Sequence, residues 1–170
     1  RGTCVAFATL AALANLRTAQ TRYEDMSEEF LYCNCKQNDG APQEYGTWIG
    51  VAIPLLQRDG CCREATWPYD PSVISGNEGH HPAPTVAVTE APAFRISSFH
   101  QWSPTSVIDM KMELVRGRAV AFSIPVFKAW YGNSAVESSG DIVLPFPGEA
   151  VVGGHAMCIC GYEDDAAEAA

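Results

Sequence analysis

Two residues at opposite ends of this chain have the types and settings that chemistry needs. Cys4 stands at the first position of a long apolar helical run in Arg-Gly-Thr-Cys-Val-Ala-Phe-Ala. A thiol there meets unpaired backbone N–H groups and the positive end of the helix dipole. Both favour thiolate, which is the nucleophile. A cysteine nucleophile also needs a base to take its proton and return it to the leaving group. His155, in Gly-Gly-His-Ala-Met-Cys-Ile-Cys-Gly-Tyr, is the candidate. Two glycines before it permit close backbone approach, and the strand expected after it would hold the ring rigidly. A helix terminus contributes up to about 2 kcal/mol to a neighbouring charge. Full activation of a thiol over about 4.5 pKa units takes about 6 kcal/mol. The imidazolium must supply the remainder, so Cys4 without His155 is expected to be nearly inert. The other histidines fit less well. His80 and His81 fall in a Gly/Pro-rich connection, where a mobile base would be badly positioned. His100, between Phe99 and Trp102, reads as a packed or surface residue.

These residues need elements to hold them. Residues 4–16 are small or apolar on every face, the mark of a buried helix. Ser27, followed by Glu28, Glu29 and Phe30, caps a second helix that ends before Asn38-Asp39-Gly40. A third runs from near Thr47 to Leu56, weakened by Pro54 and stopped by Gly60. Residues 63–93 are rich in turns, and Ser75 to Pro84 read as an exposed connection between lobes. Beyond it the periodicity predicts a strand over 94–99 and a helix opened by Ser103-Pro104 and ending at Gly117. Strands follow over 119–126, halted at Pro125, and over 142–144 and 156–162. Helices first and strands later give an α+β fold. Its helical lobe spans about residues 1–72 and its β-rich lobe residues 85–170.

The 170 residues are 47% hydrophobic and 18% charged, enough for one compact domain. The net charge of −9 offers no basic stripe, which argues against nucleic acid as a partner. No apolar stretch is long enough to span a bilayer. The acidic groups at Glu24, Asp25, Glu28, Glu29 and Glu163–Asp165 read as solvated surface. Seven cysteines, an odd number, leave at least one thiol unbridged. A reducing, intracellular setting fits somewhat better than a disulfide-stapled one. Cys33-Asn-Cys35 and Cys158-Ile-Cys160 together would offer four thiolates to zinc. Small buried side chains are the simpler reading, so no metal or cofactor is expected. The four tryptophans read as core or lobe-interface residues.

With those residues in view, the chain resembles the papain-like cysteine peptidases. Arg1-Gly2-Thr3-Cys4-Val5-Ala6-Phe7-Ala8 is similar to the family's active-site cysteine segment. Cys4 and His155 are 151 residues apart in this sequence, near the roughly 130–150 typical of the family. Met26-Ser27-Glu28-Glu29-Phe30-Leu31 is similar to the stretch opening the family's next helix, and Trp67-Pro68-Tyr69 to its Tyr-Pro-Tyr turn. Gly154-His155-Ala156 with Gly161-Tyr162 is similar to the block around its histidine. Together they span residues 1–162, in the manner of divergent microbial members.

The resemblance implies a two-lobed fold with a cleft between the lobes. It implies a thiolate–imidazolium pair of Cys4 and His155 that cleaves peptide bonds through a thioester. The Cys4 backbone N–H becomes an oxyanion donor, and Gly46, Gly154 and Ala156 line the substrate groove. Peptide or protein is the expected partner, with further domains expected in the full-length protein. The departures are specific. Arg1 stands where secreted members carry a bridging cysteine, and Val5 replaces a tryptophan. The family's oxyanion glutamine and orienting asparagine fall outside this sequence, so the domain reads as incomplete at both ends. Two rivals share the fold: an inactive binding module, and a transamidase, deamidase or cyclase using the same acyl-enzyme.

Overall fold

The structure is a computed structural model and describes residues 1–72, 82–103, 106–131 and 134–164. His80, His81 and Pro104 lie outside the described residues. Three helices build the first half: α1 (Cys4–Ala19), α2 (Glu28–Asn38) and α3 (Ile49–Arg58). Ser27 caps α2 as its sequence predicts, its hydroxyl accepting from the Phe30 N–H at 3.0 Å. Pro54 lies inside α3 without ending it. The three helices share one core. Val5, Ala6, Ala8, Leu10 and Leu13 of α1 meet Phe30, Leu31 and Tyr32 of α2, and Ala52, Leu55 and Leu56 of α3.

The second half departs further from its sequence reading. Residues 94–99, expected as a strand, form none: 95–99 are irregular, and Phe94 closes a 3₁₀ turn over Ala91–Phe94 that follows a short helix α4 (Thr85–Glu90). That pair buries only Ala87 and Ala91, which join the helical core. Helix α5 (Val107–Val115) is capped by Ser106 and Asp109 in a reciprocal capping box, rather than by Ser103. Strand β1 (Val120–Phe127) pairs antiparallel with β2 (Val151–Ile159). Pro125 does not halt β1 but sits opposite Gly154, and β2 begins five residues before the expected Ala156. Residues 142–144 form no strand, and a six-residue helix α6 (Ser134–Ser139) precedes them. Among the described residues the only sheet is this two-stranded one. It packs along α1 through β2, and Ala156 is the one residue of β2 that is buried. No helix among the described residues is long and apolar enough to cross a membrane.

The end of α3 is fastened to the second half through Gly60. Its φ is +84°, and an added Cβ would stand 2.0 Å from the Ala91 carbonyl oxygen. Gly117 has a similar φ of +75° but open space around it. A left-handed non-glycine residue costs roughly 1–2 kcal/mol by itself. Gly117→Ala is expected to show only that cost, at roughly 2–4 °C per kcal/mol for a chain of this size. Gly60→Ala, which adds a collision with backbone, is expected to lower the thermal midpoint clearly further. Thermal unfolding of the two variants checks the difference.

Candidate active site

Cys4 is the first helical residue of α1, and the cap before it is unusual. Thr3 has φ −90° and ψ 3°, and its side chain makes no cap hydrogen bond. Its hydroxyl lies 3.1 Å from that of Tyr69 instead. The N–H groups opening α1, that of Cys4 among them, therefore keep no side-chain acceptor. Donors left open in this way suit a developing oxyanion. The Cys4 thiol is free and half-buried. The residues before it are tightly seated. An added Cβ on Gly2 would stand 2.1 Å from the Gly46 backbone nitrogen, so only glycine permits that approach.

His155 sits in β2, opposite Ile124 of β1. The next residue, Ala156, is 5% exposed and belongs to the core around α1. That buried methyl seats the strand, and the strand carries the imidazole to the Cys4 end of α1. Cys4 and His155 line one cavity of about 830 Å³, with Phe7, Ala8 and Ala156 among its walls. His155 also lines a second cavity of about 250 Å³, beside Ile124, Trp130 and Ile142. Neither the thiol nor the imidazole makes a hydrogen bond within the described residues. They share a cavity without yet being joined, and catalytic contacts commonly tighten only when substrate arrives.

The three groove residues are placed differently. Gly154 lines the smaller cavity, and Ala156 lines the larger one while anchoring β2. Gly46 has both backbone groups engaged inside the protein. Its N–H donates to the Tyr32 hydroxyl at 3.4 Å, and its carbonyl accepts from Lys36 Nζ at 2.9 Å. Gly46 is partly exposed and abuts Gly2 through its backbone.

Comparison with known proteins agrees with this geometry. No family model matches the chain. It is 25% identical over 174 residues to an uncharacterized peptidase C1-like protein of Acanthamoeba polyphaga mimivirus, covering 96% of this chain and 54% of that protein. It superimposes on xylellain, a cysteine protease from Xylella fastidiosa, with a TM-score of 0.84 at 24% identity. That match covers 96% of this chain and 64% of xylellain. The fold is that of the papain-like cysteine peptidases. The bromelain protease of Ananas comosus, at 17% identity, gives a TM-score of 0.60 over 98% of this chain and 68% of its own. The chain spans about half the length of the curated relative it matches.

Sequence reasoning missed two buried ion pairs around the site. Glu29, expected on a solvated face, is 1% exposed and pairs with Arg1. Lys36 is also 1% exposed, and its three donors reach Asp39 at 2.8 Å and the carbonyls of Ala41 and Gly46 at 2.7 and 2.9 Å. The signal for the first was present in the sequence: an arginine in place of a small buried residue needs a countercharge. Trp48, expected in the core or at the lobe interface, is 56% exposed. Trp67 packs edge-on against Phe30, and Trp102 stacks on the exposed His100.

The remaining thiols divide by burial. Cys33, Cys35, Cys61 and Cys62 are all buried. Burial pushes the Cys35 thiol up to about 12 and that of Cys62 up to about 11, and raises that of Cys61 well above the ordinary range. These groups stay protonated and unreactive. Among the described residues no three potential ligands converge on a metal position.

Glu28, on the wall of the larger cavity, has its carboxyl pushed up to about 7. Partial burial is the main cause, and the charges of Glu64 and Asp25 add to it. The folded chain thus holds a proton that the unfolded chain releases between 4.5 and about 7. Stability therefore falls as pH rises through that window. Glu28→Gln is expected to raise the thermal midpoint at pH 8, by about 2–4 °C for each kcal/mol relieved. The two proteins should converge near pH 4. Melting curves across pH measure this.

Proposed function

We propose that the chain is a cysteine peptidase that hydrolyses peptide bonds through Cys4 and His155. One observation carries this reading: β2, seated on α1 by Ala156, brings the imidazole into the cavity where α1 presents its first-turn thiol. The chemistry follows from the pair. The Cys4 thiolate attacks the carbonyl carbon, and the oxygen takes up the negative charge beside the Cys4 N–H. The His155 imidazolium gives its proton to the leaving amine as the C–N bond breaks, which leaves a thioester. Neutral His155 then takes a proton from water. The water oxygen adds to the thioester carbonyl, the C–S bond breaks, and the acid product leaves behind the Cys4 thiolate beside the His155 imidazolium. Peptide or protein is the substrate.

Names and ligands of the similar proteins support the reading. The viral protein is described as peptidase C1-like. The cysteine protease of Carica candamarcensis, 16% identical with a TM-score of 0.59, and the bromelain protease are both complexes with the inhibitor E-64. Incubation of the folded protein with E-64 is expected to give one covalent adduct, on Cys4, located by mass spectrometry. Cys35, Cys61 and Cys62 should remain unlabelled. His155→Ala is expected to slow the reaction at pH 7 by about 10²-fold or more, the usual worth of a positioned base. An unlabelled Cys4 in folded protein would sink the peptidase reading. Labelling without cleavage of any peptide library would point to acyl transfer instead.

A further inference from the structure

Arg1 and Glu29 form an ion pair sealed from solvent, at 0% and 1% side-chain exposure. The contact is two-pronged, with guanidinium nitrogens 2.5 and 2.8 Å from the two carboxylate oxygens. Arg1 also donates to the Asp70 carbonyl. Its guanidinium carbon lies 5.4 Å from the ring centre of Tyr32 and 5.5 Å from that of Tyr69. The Asp70 N–H closes the circuit, donating to Glu29 at 3.2 Å. Burying such a pair is seldom required for stability, since apolar residues of similar volume commonly serve as well or better. What the planar fork of an arginine supplies is a defined direction and distance.

The place of this fork gives that direction a use. Each of the three residues before Cys4 is held from elsewhere in the fold. Arg1 is held by α2 and the turn at Asp70, Gly2 by the backbone of Tyr45 and Gly46, and Thr3 by the Tyr69 hydroxyl. Lys36 in turn pins the Gly46 side of that seat. We propose that Arg1 and Glu29 are positioning residues, a charged latch that sets where the sulfur and N–H of Cys4 stand relative to His155. The proposal rests on the reading of Cys4 and His155 as nucleophile and base. Glu29 stands behind the cavity wall; Arg1 lines the cavity, but its guanidinium is buried against Glu29. A misplacement of about 1 Å at a reacting group can cost about 10²-fold in rate, so a loosened latch shows in reactivity even where the chain stays folded.

The test uses the protein with its native flanking sequence and separates folding from reactivity. The variants are Glu29→Gln, the apolar double variant Arg1→Met/Glu29→Leu, and the conservative Arg1→Lys. For each, the thermal midpoint is measured alongside the rate of E-64 inactivation as a function of pH, and kcat and KM on a peptide substrate. Glu29→Gln is expected to lose both stability and reactivity. The double variant is expected to recover the melting temperature while E-64 inactivation stays about tenfold or more below wild type, with the loss in kcat and not in KM. Arg1→Lys, which keeps the charge and loses the fork, is expected to fold and to react at an intermediate rate. A folded double variant that reacts at the wild-type rate overturns the latch and leaves the peptidase reading intact. If the double variant does not fold, Arg1→Lys decides, and a wild-type rate there overturns the latch. A wild-type protein whose Cys4 takes no E-64 at all removes the peptidase reading and the latch together.

Discussion

Small and apolar residues on successive faces of α1 let α2, α3 and β2 all pack against it. A helix of this kind loses free energy whenever a face is left in water, at about 25 cal/mol per Å² of apolar surface. Ala6 and Ala8 of α1 and Ala156 of β2 belong to the same buried cluster. Contact between residues so distant in sequence carries a large loop-closure cost. The burial of α1 offsets that cost. The placement of His155 is a consequence of the packing, because it is the neighbour of the one residue of β2 that the core takes in.

Electrostatics arranges the other side of the site. The chain carries a net charge of −9, yet two of its cations are drawn fully inside, where each meets a carboxylate and backbone carbonyls. A buried charge without partners is very costly, so these groups impose geometry on everything that satisfies them. Arg1 ties the approach to Cys4 to α2 and to the 69–70 turn, and Lys36 shapes the loop from Asp39 to Gly46. The thiols deeper in the same lobe are silenced by the burial that makes them good core residues.

Much of the helical half was legible. The Ser27 cap, the ends of α2 and the stop at Gly60 depend on local hydrogen bonding and on φ at single residues, and both leave marks in sequence. The second half was less legible. Pro125 reads as a strand breaker because it lacks an N–H, but antiparallel pairing with β2 tolerates it opposite Gly154. Residues 94–99 have strand-like composition, but no strand among the described residues pairs with them, and pairing decides β structure more than propensity does. Acidic residues near one another read as solvated surface, and nothing local distinguishes Glu29 from Glu28.

The sequence by itself determined the candidate groups and their local settings: a thiol in the first turn of an apolar helix, an imidazole after two glycines, and the order of the motifs between them. Short-range forces act within a few residues, so such features can be read along the chain. The tertiary structure alone decided that the two groups share a cavity, that Gly46 abuts Gly2, and that Arg1 finds Glu29. Those outcomes depend on which distant surfaces are buried together, and burial is a property of the packed whole.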